Sequence, residues 1–187
     1  EIPGAALSWS GAVGVVERTT ATQVTPQTAF RIASTTKTFT SAAIHRLAEQ
    51  GLLGLDDAIA QHLDPATTQL LRERGYETDK MTVAHLLAHT SGLPDHDGPQ
   101  YQQAVLADVS KRWTRREQLL FGLDRFAKAG APGENVQYSD TGYCLLGEII
   151  ERKTGTHLGA AYRSLLRFDV MGMTSTWMEA FEPAPHA

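Results

Sequence analysis

The order of apolar and polar positions divides the chain into two kinds of segment. Over the first thirty-odd residues the apolar positions come in short runs broken by Gly and Pro. Residues 5–10 and 13–17 read as strands flanking Gly11-Ala12, which predicts a hairpin. Residues 29–32 read as a third short strand, set apart by the turn at Thr25-Pro26. From Ser34 onward the spacing is helical. Phe39, Ala43 and Leu47 recur at i, i+4 and i+8, so residues 34–50 are expected to be a helix, with Gly51 placed for its left-handed end. Thr82 can cap a short helix running through Ala88. Thr114 and Glu117 make a capping box ahead of Leu119, Leu120, Leu123 and Phe126, and Gly130 with Pro132-Gly133 is expected to end that helix. Residues 141–153 place Tyr143, Leu146 and Ile150 on one face, with Gly155 beyond the end. Residues 158–168 form the last expected helix.

Strands come first and helices follow, without βαβ alternation. That order predicts an α+β fold. So small a sheet is poorly balanced against so much helix. It calls for further strands or a cover.

Composition narrows the function classes. The 187 residues are 42% hydrophobic and 20% charged, which is globular usage rather than that of a disordered chain. The formal net charge of -4 and the lack of a Lys/Arg run argue against nucleic-acid binding. Lys111, Arg112, Arg115 and Arg116 read as a solvated helix start. No run approaches the roughly 18 apolar residues of a membrane span. The single cysteine, Cys144, can form no intrachain disulfide, and its apolar setting predicts a buried, inert thiol. No signal peptide is visible, and the opening on Glu1 rather than Met leads us to expect that something preceding it was removed in the cell or left out of this sequence.

Two constellations carry candidate chemistry. Ser34-Thr35-Thr36-Lys37 is a Ser-x-x-Lys at a strand-to-helix junction. Residues i and i+3 share a helix face, so Lys37 can reach the Ser34 hydroxyl. The helix N-terminus favours negative charge developing on that oxygen. The plainer alternative is a capping serine followed one turn later by an exposed lysine. The second constellation is Tyr138-Ser139-Asp140, in a loop opened by Pro132-Gly133 and leading into a helix. An extended segment would point Tyr138 and Asp140 the same way. Its alternative is a tyrosine anchoring the loop, with Asp140 or Thr141 as the helix cap.

Four stretches together resemble the penicillin-recognising serine enzymes of the class C β-lactamase type, which include D-Ala-D-Ala carboxypeptidases, D-aminopeptidases, esterases and acyltransferases. They are Phe30 to Lys37; Leu47 to Asp57; Leu86-Leu87-Ala88-His89-Thr90-Ser91-Gly92-Leu93-Pro94; and Pro132 to Gly147. They stand in the family's order. Ser-x-x-Lys is a signature of the wider superfamily. The resemblance implies a β-lactamase/DD-peptidase-like fold, an antiparallel sheet with a helical region. Residues 1–33 would hold early strands of the sheet and residues 34–187 the nucleophile helix and the helical region, as one partial domain. It implies Ser34 as the acylated nucleophile, Lys37 as its base partner and Tyr138 as the proton shuttle. Asp140 would bind substrate. The Ser34 N–H would be one oxyanion donor. Neither metal nor cofactor is needed. His89 would lie in a mainly structural segment. A location outside the cytoplasm is also implied.

The chain departs from the family twice. Asp140 stands where the family usually has Asn, and a carboxylate there favours a charged Lys37. The third family motif, Lys/His-Thr-Gly on a late strand, is not matched. Lys153-Thr154-Gly155 spells it but should end a helix. A second polypeptide is therefore expected to add antiparallel strands and that motif beside Ser34. The Pro-rich end, Phe181 to Ala187, is expected to be a cut or a disordered boundary. The expected function is hydrolysis of an amide, ester or peptide, or transfer of its acyl group. The rival is a binding or scaffold protein that kept the fold without catalysis.

Overall fold

The computed structural model describes Gly4, residues 9–179 and residues 181–184. The chain divides into two compact units, residues 1–33 and 34–187.

In the first unit, β1 (Val15–Glu17) pairs antiparallel with β2 (Thr22–Gln23), with Val15 opposite Gln23 and Glu17 opposite Thr22. The register slips between Val15 and Glu17, a local bulge. Val24 N–H continues the ribbon by donating to Gly14 O at 3.0 Å. The Thr19 and Thr20 hydroxyls donate to Glu17 across the turn. The hairpin among the described residues therefore turns at residues 18–21. Of the strand expected at residues 5–10, residues 5–8 lie outside the described residues, and residues 9 and 10 are not in a strand. Residues 29–32 join no ladder either. Their apolar content alone does not supply a pairing partner. Val13, Val15 and Val16 all face solvent.

The second unit is helical. Its elements are α1 (Thr36–Glu49), α2 (Pro65–Glu73), α3 (Val83–Leu87), α4 (Pro99–Ala107), α5 (Arg115–Arg125), α6 (Asp140–Thr154) and α7 (Leu158–Leu165). Helix α6 packs against α1, α3, α5 and α7, and α1 also packs on α7. Leu145, Leu146, Ile149 and Ile150 of α6 are fully buried. They meet Ala43, Ile44 and Leu47 of α1 in one core. Each such Leu or Ile side chain contributes roughly 1.5–3 kcal/mol through burial. Leu146→Ala should therefore cost about 2–5 kcal/mol, read as a lower denaturant midpoint with an unchanged slope.

The helix ends follow local chemistry. Thr114 and Glu117 form the expected box on α5. Thr82 caps α3, and the reciprocal acceptor is His85 Nδ1 rather than a carboxylate or carboxamide. Asp64 caps α2, and the buried Glu148 of α6 accepts from Asp64 N–H at 2.8 Å and from the Thr67 hydroxyl at 3.0 Å. Helix α5 stops at Arg125, before Gly130, because Phe126 turns extended. Helix α7 likewise stops at Leu165, short of the expected 168. Helix α6 ends on Gly155 in the left-handed conformation, φ 68°. Lys153-Thr154-Gly155 is thus a helix terminus. Of the Pro-rich end, residues 180 and 185–187 lie outside the described residues. No helix among the described residues is long and apolar enough to cross a membrane.

Candidate active site

Ser34 lies in a short 3-10 turn, Ala33–Thr35, directly ahead of α1. Ala33 has a left-handed backbone, φ 45°, which costs a non-glycine residue on the order of 1–3 kcal/mol. Such strain persists where the surroundings fix it. Lys37, one turn along, brings Nζ to 3.4 Å from Ser34 Oγ. The Tyr138 hydroxyl donates to the same oxygen at 2.8 Å. Lys37 also pairs with the Asp140 carboxylate. Its ammonium lies 4.7 Å from the centre of the Tyr138 ring and 5.4 Å from that of Tyr143. The Lys37 side chain is 16% exposed and that of Asp140 21%. Ser34 and Tyr138 are open to solvent.

All four expected residues thus converge. The reason lies in the segment before α6. Ser139 is extended, φ -149° and ψ 108°, so the side chains on either side of it point the same way. Tyr138 meets Ser34 and Asp140 meets Lys37. The helix cap is Ser139 and not Asp140 or Thr141: its hydroxyl accepts from Gly142 N–H at 3.1 Å and donates to Pro94 O at 2.9 Å. Ser139 is fully buried, which leaves its neighbours free for the site.

A second layer holds this segment. Gly133 N–H donates to Thr90 O at 2.7 Å, and Gln137 N–H to His89 O at 2.8 Å. Ala129 N–H donates to Gly92 O at 3.0 Å. Gly92 has φ 76°, and a Cβ there would come within 2.2 Å of Gly130 O. Only glycine lets the two loops approach so closely. Asp95 accepts from Asp140 N–H at 3.0 Å. His89, also left-handed at φ 58°, accepts from Ser139 N–H on Nδ1 at 3.1 Å.

The electrostatics centre on Lys37. Burial pulls its pKa down, but the hydrogen bonds and charge of Asp140 and Tyr138 outweigh that and hold the ammonium above its ordinary value. His89 is held below the ordinary histidine value, by burial first and by the Lys37 charge second, against Asp140 and Asp95. Burial also pushes the Cys144 thiol up to about 12, so it is a poor nucleophile.

Sequence reasoning did not assign Asp95 or Tyr143 to the site. Tyr143 carried a signal, since it lies three residues after Asp140 on one helix face. Asp95 carried none, because its contact is made between separate loops. Among the described residues no cluster of three His, Cys, Asp or Glu side chains is arranged to hold a metal ion.

Comparison with known proteins agrees with this architecture. A penicillin-binding protein of Bacillus subtilis (strain 168) is 31% identical over 158 residues, which are 81% of this chain and 31% of that protein. The chain therefore spans about a third of that relative's length. A D-amino acid amidase from Ochrobactrum anthropi SV3, solved with L-phenylalanine amide, superposes with a TM-score of 0.75 at 30% identity, covering 92% of this chain and 45% of that one. A D-stereospecific amidohydrolase from Streptomyces superposes with a TM-score of 0.66 at 27% identity, covering 82% and 48%. The beta-lactamase family model matches residues 2–187, and the chain belongs to the beta-lactamase family.

Proposed function

We propose that this chain carries the nucleophile half of a serine acyl-transfer site, in which Ser34 attacks an amide or ester carbonyl. The observation that carries this is the convergence of Lys37 Nζ and the Tyr138 hydroxyl on one exposed serine oxygen. Both groups there can donate, so in the resting state Ser34 is held but not yet activated. Attack needs the small fraction of neutral Lys37, whose Nζ takes the Ser34 proton as Oγ bonds to the carbonyl carbon. The tetrahedral oxyanion is met by the Ser34 N–H. Tyr138 then gives its proton to the leaving nitrogen or oxygen, the acyl bond breaks, and Lys37 returns a proton to Tyr138. The net transfer is one proton from Ser34 to the leaving group. Water or another acceptor reverses the sequence to release the acyl group.

Membership of the beta-lactamase family supports serine hydrolase chemistry in general terms. The two amide-cleaving neighbours support an amide as the bond attacked here. Asp140 would then face the substrate side of Lys37 and receive a donor group of the substrate. The Lys37–Asp140 pair also favours one rival, a binding protein that kept the fold, because it keeps the lysine charged. A fluorophosphonate decides between them. Covalent labelling mapped to Ser34 is expected; an unlabelled protein that still binds an amino acid amide would establish the rival.

The small sheet of the first unit, residues 1–33, supports a further part of the proposal. Among the described residues, two short strands with solvent-facing valines form only a marginal ribbon. Additional antiparallel strands, from a second polypeptide or a longer chain, would complete it and bring a Lys/His-Thr-Gly motif beside Ser34. Adding the matching C-terminal segment should raise the labelling rate of residues 1–187. Equal rates with and without it would rule this out.

A further inference from the structure

His89 was set apart by its motif, yet its ring is built into the site. One face stacks on Tyr138, with centroids 4.5 Å apart and planes 28° from parallel. Tyr143 lies on it at 5.0 Å and 30°. Nδ1 accepts the Ser139 N–H, and the His89 carbonyl accepts the Gln137 N–H. One residue therefore grips the backbone on both sides of Tyr138 and the Tyr138 ring itself. A backbone N–H can only donate, so Nδ1 must be unprotonated and the ring neutral, with its proton on Nε2. We propose that His89 is a positioning residue whose neutral ring holds Tyr138 against Ser34, and whose protonation releases that grip and switches acylation off.

The role takes Ser34 as the nucleophile of the reaction above. Protonation would set an Nδ1–H against the Ser139 N–H, two donors face to face. It would also add a second cation beside Lys37. The groups facing the ring are Lys37 from α1, Asp95 from the segment after Leu93, Tyr138 just ahead of α6, and Asp140 and Tyr143 at its start. Burial and Lys37 oppose protonation; Asp140 and Asp95 favour it; the balance lies below the ordinary histidine value. Loss of neutral Lys37 already lowers the rate by about tenfold per pH unit on this side of its pKa; protonation of His89 is expected to add a second, steeper acid limb below about pH 6.5, the unperturbed histidine value.

The test is the pH dependence of fluorophosphonate labelling at Ser34 in wild type and in His89→Asn. Asn accepts a left-handed backbone. Its carbonyl oxygen can replace Nδ1 as acceptor, but it neither stacks nor titrates. Labelling at neutral pH should slow by about tenfold to 100-fold from the looser tyrosine, and the added acid limb should vanish, leaving the slope set by Lys37 alone. A limb that persists with the wild-type midpoint overturns the proposal, since a merely structural residue would leave it in place. His96, buried against Thr141 and Tyr101, is the control: His96→Asn should keep the limb. Nitrogen-15 NMR of the histidines gives an independent readout. The Nδ1 of His89 should resonate as unprotonated, and its titration should move the Tyr138 ring signals at the same midpoint. A proton on Nδ1 at neutral pH would refute the role. If Ser34 is never labelled in any variant, the acyl-transfer reading fails, and the NMR result alone judges the grip on Tyr138.

Discussion

Ser34→Ala should abolish fluorophosphonate labelling and lower amide or ester turnover by a factor on the order of 10⁴–10⁶. The loss is large because the oxygen removed is the atom that forms the covalent bond. The protein should stay folded. Ser34 Oγ is exposed and sits ahead of the first regular turn of α1, whose flanking Thr35 makes no side-chain cap bond. Removing the hydroxyl leaves Lys37 paired with Asp140 and frees the Tyr138 hydroxyl to water. Lost hydrogen bonds of this kind cost about 0.5–1.5 kcal/mol. An unchanged circular dichroism spectrum and a melting temperature within a few degrees of wild type are the matching expectations. Undiminished labelling of the alanine variant would remove Ser34 from the mechanism. A collapsed melting transition would instead show that the serine is needed for the fold.

The parts legible in the sequence are those whose physics is local. Ser34 and Lys37 face one another because they are one helical turn apart, and that spacing is written in the chain. Tyr138 and Asp140 converge because a two-residue spacing aligns side chains in an extended segment, and Ser139 is extended. Helices α1, α5 and α6 were readable from apolar stripes and caps. Helices α2 and α4 were not identified. Both open with proline in the first turn, at Pro65 and Pro99, which is a usable start signal. Helix α4, however, buries none of its residues, so it has no apolar stripe to detect. Strand β2 is two polar residues, Thr22 and Gln23, too short for any alternation to show. Asp95 and the stacked His89 ring belong to the site through contacts between distant loops, and no spacing rule reaches those.

Asp140 is the carboxylate paired with Lys37, and its replacement by Asn should make Ser34 react faster at neutral pH. Burial alone lowers the lysine; the Asp140 hydrogen bond and charge, with Tyr138, reverse that and hold it above 10.5. Asn keeps the shape and can still accept a hydrogen bond, but carries no charge. With the charge gone, burial regains weight and the lysine pKa falls. Each unit of fall raises the neutral fraction available at pH 7 by about tenfold. Since neutral Nζ is the form that accepts the Ser34 proton, the limb of the rate profile governed by Lys37 should move to lower pH. Fluorophosphonate labelling is the proper probe, because it reads serine activation without needing the amide contacts that Asp140 would make. Turnover of an amide substrate should change in KM as well. The opposite outcome is equally definite. If labelling of Asp140→Asn slows, and the rate begins to fall at a lower pH on the alkaline side, then the charged ammonium is the working form. The proton from Ser34 would then have to go to Tyr138, and Lys37 would act by charge alone. An unchanged profile would mean that the Lys37–Asp140 pair takes no part in activating Ser34.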